Sequence, residues 1–224
     1  MNASEIVVVV PALNAGRTLP GLVDGLRQHL APEQILVVDD GSSDQTPVVL
    51  SRLGVMSHRH PSTRGKGAAL RTGFEWWSAR GPWRALVTMD ADLQHRPEDL
   101  PVFVERWNRG GCDMIVGSRQ RLRSTMPLTR VLSNTVTSAL VSARCSSPLL
   151  DTQCGYRLLS REVVETIRFE ANGFEAETEI LIRVLVKKFR VASVPVQTVY
   201  GNETSHMTPW HTTQQFIAVL FRDY

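Results

Sequence analysis

Apolar and polar positions along this chain come in blocks. Short, continuous, β-branched-rich runs recur at IVVVV (residues 6–10), ILVVD (35–39), ALVTMD (85–90) and DMIVGS (113–118). Runs this short with no polar alternation suit strands covered on both faces. Between them the apolar residues keep helical spacing. Leu19, Leu22, Val23 and Leu26 share one face ahead of Pro32, and Ala69, Leu70, Phe74 and Trp77 share another after the glycines of RGKG. In RPEDLPVFVERW, Pro97, Glu98 and Asp99 suit a helix first turn, where a missing N–H costs nothing and acids favour the dipole. Strand alternating with helix over this first half predicts an α/β fold: a doubly wound, mostly parallel sheet with helices on both faces.

After residue 118 the rhythm changes. A basic loop carrying Arg119, Arg121, Arg123 and Arg130 leads into a predicted helix through Ser142. Then come DTQCGYRLL, the helically spaced GFEAETEILIRVLVKK, the β-rich VASVPVQTVY and a last segment, MTPWHTTQQFIAVLFRDY. No Gly/Ser/Pro-rich linker, internal repeat or low-complexity stretch divides the chain, so residues 1–224 read as one domain with halves 1–118 and 119–224. The run FIAVLF (216–221), apolar nearly all round, reads either as a surface-associating helix, with Trp210 and Arg222 at its flanks, or as a core or dimer helix.

Composition adds limits. With 42% apolar and 21% charged residues the chain is an ordinary soluble protein, and a net charge of +3 gives no case for a nucleic-acid partner. Three cysteines without a C-x-x-C pair fit neither a disulfide framework nor a zinc site, and point to a reducing compartment. The start lacks the basic residues and long apolar core of a signal peptide, and no run approaches the ~18 apolar residues of a spanning helix. The expected location is cytoplasmic, with attachment at a membrane surface as the variant.

In open α/β sheets ligands gather beyond the carboxyl ends of the strands. That places PALNAG, DDGSSD, DAD and GSRQRLRS on one rim. Asp90 and Asp92 are alternate residues of an extended segment, so both carboxylates are able to face one point. Two like charges that close repel unless a cation sits between them, and hard oxygen donors select Mg²⁺ or Mn²⁺, whose remaining positions suit a diphosphate. The plainer alternative is that Asp90 ends a strand and Asp92 caps the next helix. Asp39 and Asp40 open an ordinary βα turn, or accept hydrogen bonds from a base or ribose. TRGKGAAL offers close backbone approach with Arg64 and Lys66 near a phosphate, but it is no Walker loop.

Taken in order, VVVVPALNAG, VVDDGSSDQT, RGKGAALRTGF, MDADLQHRPEDL, VGSR, DTQCGYRLLSRE and FEAETEILI resemble the family-2 glycosyltransferases of the GT-A fold. Within them they resemble the polyprenyl-phosphate sugar transferases, such as the dolichyl-phosphate mannose and glucose synthases. The resemblance implies a nucleotide-sugar-binding first half and an acceptor-side second half. It implies that Pro11, Ala12, Asn14, Asp39, Asp40, Lys66, Asp90 and Ala91 line the nucleotide of a UDP- or GDP-hexose, and that Asp90 and Asp92 hold Mg²⁺ or Mn²⁺. Gln94 would lie beside the metal, and Arg157 and His206 near phosphate groups. One departure is Ala15, where many relatives carry an acid.

The family's inverting chemistry needs no protein nucleophile. A hydroxyl acceptor needs a base, and the candidates are Asp151, Glu175, Glu177 and Glu179, of which Asp151 and Glu177 match best by position. A lipid monophosphate acceptor scarcely needs one, because its second pKa is ~6. It needs cations, which Arg119 and Arg130 would supply. The implied partners are a nucleotide sugar and a polyprenyl phosphate at the inner face of the cell membrane, with a homodimer as a further expectation; a soluble hydroxyl acceptor or a non-catalytic nucleotide-sugar binder are the alternatives.

Overall fold

The computed structural model describes residues 5–119, 151–197, 216 and 218–222. Seven strands form one sheet in the order β3-β2-β1-β4-β6-β5-β7. They are β1 (Ile6–Ala12), β2 (Ile35–Asp39), β3 (Met56–Arg59), β4 (Ala85–Thr88), β5 (Met114–Arg119), β6 (Arg157–Ser160) and β7 (Val191–Val196). Every residue of β1, β2 and β4 is buried, as continuous apolar runs require of central strands. β3 and β6 lie outside the runs that the pattern picks out. β3, with the sequence MSHR, alternates half-buried and exposed because it is a sheet edge.

All pairings are parallel except those of β6, which runs antiparallel between β4 and β5. Its first residue, Arg157, sits opposite Thr88 on one side and Val116 on the other. Being reversed, β6 begins at the rim where its neighbours end. The chain just before it, Cys154 to Tyr156, is thereby delivered to the acidic rim.

The helices are α1 (Leu19–Arg27), α2 (Thr46–Leu53), α3 (Lys66–Ser78), α4 (Leu100–Asn108), α5 (Arg161–Thr166) and α6 (Ala176–Val186). They fall into two groups: α1 packs on α2 and on the 3₁₀ turn Pro97–Asp99 ahead of α4, whereas α3 packs on α5 and α6. These are the two layers of a doubly wound sheet. The α1 stripe of Leu19, Leu22, Val23 and Leu26 is fully buried, as spaced. Helix α3 lies so close to β1 that a Cβ at Gly73 would meet Val9 Cγ1 at 2.4 Å.

At the C-terminus, residues 216 and 218–220 are helical. Val219 and Leu220 are buried in the common core, Phe221 is exposed, and Arg222 pairs with Glu170 and Glu179 at 3.1 and 3.4 Å. The described part of this segment therefore docks on the domain. Among the described residues no helix is long and apolar enough to cross a membrane.

Candidate active site

The loops after β1 and β2 are bonded into one wall. Asn14, in the left-handed region at φ 52°, receives Ser43 N–H on its Oδ1 at 2.9 Å and donates its own N–H to Ser42 Oγ at 2.8 Å. Ala15 N–H donates to Thr46 Oγ1 and Gly16 N–H to Asp44 Oδ2, and Asp39 Oδ1 accepts from Ser42 N–H. This wall leaves Asn14 exposed. Pro11 and Ala12, expected to line a base, are instead buried residues of β1 in register with Val38 and Asp39. The Ala15 position is itself buried, so an acid there would sit inside the wall.

Asp40 also departs from expectation. Its Oδ1 accepts from Arg64 N–H at 3.0 Å and lies 2.6 Å from His60 Nδ1, while Oδ2 accepts from Gly65 N–H at 2.7 Å. His60 Nε2 reaches on to Thr72 Oγ1 at 2.9 Å. Both oxygens of this buried carboxylate thus shape the entry to α3. The glycines of RGKG likewise serve the chain itself. Gly65, at φ 99°, and Gly67 give passage to residues 171–172, whose carbonyls would lie 2.2 Å from a Cβ at either glycine. Asn172 C=O accepts from Gly67 N–H at 2.7 Å. The first turn of α3 is therefore capped by residues 171–172, with only the Lys66 side chain sent to the rim.

Lys66 is the hub. Its Nζ lies 2.5 Å from Asp90 Oδ1 and 2.8 Å from Glu177 Oε1. Burial would depress a lysine, but these two carboxylates outweigh it and hold Lys66 above its ordinary value. Burial would likewise raise Asp90; Lys66, with His95 and Arg119 further off, holds it low and ionised. Gly155 makes the convergence possible, since a Cβ there would come within 2.5 Å of Asp90 Oδ2 and 2.7 Å of Glu177 Oε1.

Asp92 closes an Asx turn by accepting Gln94 N–H on Oδ1 at 3.0 Å, with Leu93 in the left-handed region at φ 59°. Ala91, between the two acids, is buried. His95, beneath this loop, is buried against Tyr156, with Nε2 3.7 Å from Cys154 Sγ. Burial pulls its pKa down to about 4, so it is neutral at neutral pH.

Three expected site residues, Arg157, Asp151 and Arg119, are engaged within the fold. Arg157 is 2% exposed, and its guanidinium donates to the carbonyls of Cys154, Thr152 and Glu177. Those three bonds tie it to the chain around the start of β6. Asp151, expected as a base, is buried and held in a two-pronged pair by Arg119, Nε to Oδ2 at 2.6 Å and Nη2 to Oδ1 at 2.9 Å. The same pair commits Arg119, expected to meet an acceptor phosphate. Glu179 is spent on the Glu170 and Ala171 amides and on Arg183, and Glu175 on Gly173 N–H. Arg130 and His206 lie outside the described residues.

Residue-by-residue reading missed Gly155, His95 and the 171–174 segment. For Gly155 the available signal was a glycine in a motif that also carries an acid and an arginine. The other two become visible only when β6 and α6 are placed.

Among the described residues no three His, Cys, Asp or Glu side chains converge on one point. Asp90 and Asp92 nevertheless fit a hard divalent ion whose other ligands are water and a ligand's phosphate oxygens, and the missing Cβ of Gly155 leaves the cradle beside Asp90 Oδ2 open.

A family model described as "Glycosyl transferase family 2" matches residues 7–168, most of the chain. The chain belongs to glycosyl transferase family 2. It is a glycosyltransferase, and it is similar to several named ones. The polyprenol monophosphomannose synthase of Mycolicibacterium smegmatis is 32% identical, over 85% of this chain and 76% of that one. The UDP-N-acetylglucosamine–dolichyl-phosphate N-acetylglucosaminyltransferase of Methanococcus voltae is 27% identical, over 87% and 86%. The fold is shared with glucosyl-3-phosphoglycerate synthase of Mycobacterium tuberculosis bound to UDP, with a TM-score of 0.78 at 22% identity over 97% of this chain and 79% of that one. The same enzyme has been crystallised with Mn²⁺ and UDP-glucose.

Proposed function

We propose that this glycosyltransferase moves a hexosyl group from a UDP- or GDP-sugar to the phosphate oxygen of a polyprenyl phosphate, inverting the anomeric carbon. The new bond joins that oxygen to C1 as the C1–O bond to the diphosphate breaks, its electron pair leaving with the nucleoside diphosphate. Asp90 and Asp92 would hold Mg²⁺ or Mn²⁺, which when bound neutralises charge on the leaving diphosphate. Lys66, kept cationic by Asp90 and Glu177, adds a fixed positive charge beside it. The bonded wall of Asn14, Ser42 and Ser43 offers the nucleoside a rigid surface.

One observation carries the choice of acceptor. The two acids best placed by motif to act as a base, Asp151 and Glu177, are both ion-paired, to Arg119 and Lys66. A hydroxyl acceptor needs a free base, whereas a phosphate monoester is already ionised at neutral pH. The likeness to the polyprenol monophosphomannose synthase supports the same acceptor.

The test is transfer of radiolabel from UDP-glucose, UDP-N-acetylglucosamine and GDP-mannose, with Mn²⁺, to a short polyprenyl phosphate, the matching unphosphorylated polyprenol, or 3-phosphoglycerate. Label in the polyprenyl phosphate alone is expected. Transfer confined to 3-phosphoglycerate, or equal transfer to the free alcohol, would contradict the assignment.

A further inference from the structure

Large apolar side chains left exposed among the described residues are Leu13, Val48, Phe174, Val186 and Phe221. Single exposed apolar residues are ordinary. Phe174 differs in its place: 42% exposed, it has its ring centroid 5.5 Å from Lys66 Nζ, the cation shared by Asp90 and Glu177. Its position is also fixed. Asn172 is tied to α3 through Gly67 N–H and Arg71, Ala171 N–H is tied to Glu179, and Gly173 N–H is tied to Glu175. A chain that anchors a short segment at so many points, yet leaves its one aromatic residue 42% exposed beside a charged cluster, has built a platform.

We propose that Phe174 is a specificity-determining residue that stacks against the hexose of the donor; this rests on the nucleotide-sugar reading above. If the diphosphate is held at Asp90 and Asp92, the sugar attached to it is brought to the side of the site where Lys66 joins Asp90 to the Phe174 ring. The C–H patch on one face of a hexopyranose carries partial positive charge, and an aromatic face carries negative charge, so the two attract as well as exclude water. The charged groups grip the diphosphate that every nucleotide ligand shares. Phe174 grips the part that distinguishes an intact donor from the spent nucleotide.

Calorimetric titration of the full chain with UDP against UDP-glucose, and GDP against GDP-mannose, all with Mn²⁺, separates these contributions. Phe174→Ala should weaken binding of the sugar nucleotide by roughly three- to tenfold, the range expected for one lost aromatic contact. It should leave the nucleoside diphosphate within about twofold, and Phe174→Tyr, which keeps the ring, should restore the difference. Equal loss for both ligands, or no loss for either, would overturn the role given to Phe174. A raised KM for polyprenyl phosphate with unchanged donor binding would overturn it too, by moving the ring to the acceptor. Wild-type protein that bound neither sugar nucleotide would remove the underlying donor assignment, an outcome distinct from any of these.

Discussion

His95 shows how a single buried side chain ties the site to pH. Desolvation lowers its pKa from 6.5 to about 4, so the folded state binds fewer protons than the unfolded chain between those values. Its contribution to stability is present above pH 6.5 and is lost as pH falls through about 4. Unfolding free energies from urea titrations across this window should fall with acidification by up to roughly 3 kcal/mol from this residue, and His95→Gln should flatten the slope. Asp151 tests a different point. Because Arg119 holds its buried carboxylate, Asp151→Asn is expected to lower stability by about 3 kcal/mol, as breaking a buried pair does. A variant of unchanged melting temperature and abolished turnover would restore Asp151 as a base. In the sequence Asp151, Glu175, Glu177 and Glu179 look alike; their partners separate them, and those do not show in a motif.

Among the elements, the first turn of α3 and the segment 171–175 behave as one unit. Gly67→Ala would drive a Cβ to 2.2 Å from Ala171 O and 2.7 Å from Ala176 Cβ. Backbone cannot give way cheaply, so a loss of about 1–3 kcal/mol is expected, together with a fall in transfer as Phe174 and Glu177 shift. Gly21→Ala in α1 is the control: its Cβ would meet Leu93 Cδ1 at an ordinary 3.5 Å, and helix propensity predicts a gain of roughly 0.5–1 kcal/mol. Thermal melts of the two variants should move in opposite directions. The strands β1, β2, β4 and β5 and the stripes of α1 and α3 were legible because continuous and periodic apolar runs announce themselves. The four-residue strands β3 and β6 are too short and too polar or mixed to do so. The position of β6 depends on pairing with β4 and β5, which no local pattern encodes.

Across the whole molecule, the carboxyl ends of β1, β2, β4 and β5 and the start of the reversed β6 meet at one rim. The rule for open α/β sheets, applied to the sequence, puts Asp39, Asp90 and Asp92 on that rim. What it could not supply was the second half's contribution, because Glu177 and Gly155 reach Lys66 and Asp90 only after α6 and β6 have docked. The central claim is that Asp90 and Asp92 hold a divalent cation that tethers the diphosphate of an activated sugar. Calorimetry of UDP and GDP binding, with and without Mn²⁺, to the wild-type chain and to Asp92→Asn tests it most directly. The account predicts that one nucleotide binds at least about tenfold more tightly with Mn²⁺, and that Asp92→Asn removes this gain while keeping the metal-free affinity. Equal affinity with and without Mn²⁺, or an undiminished Mn²⁺ effect in Asp92→Asn, would contradict it.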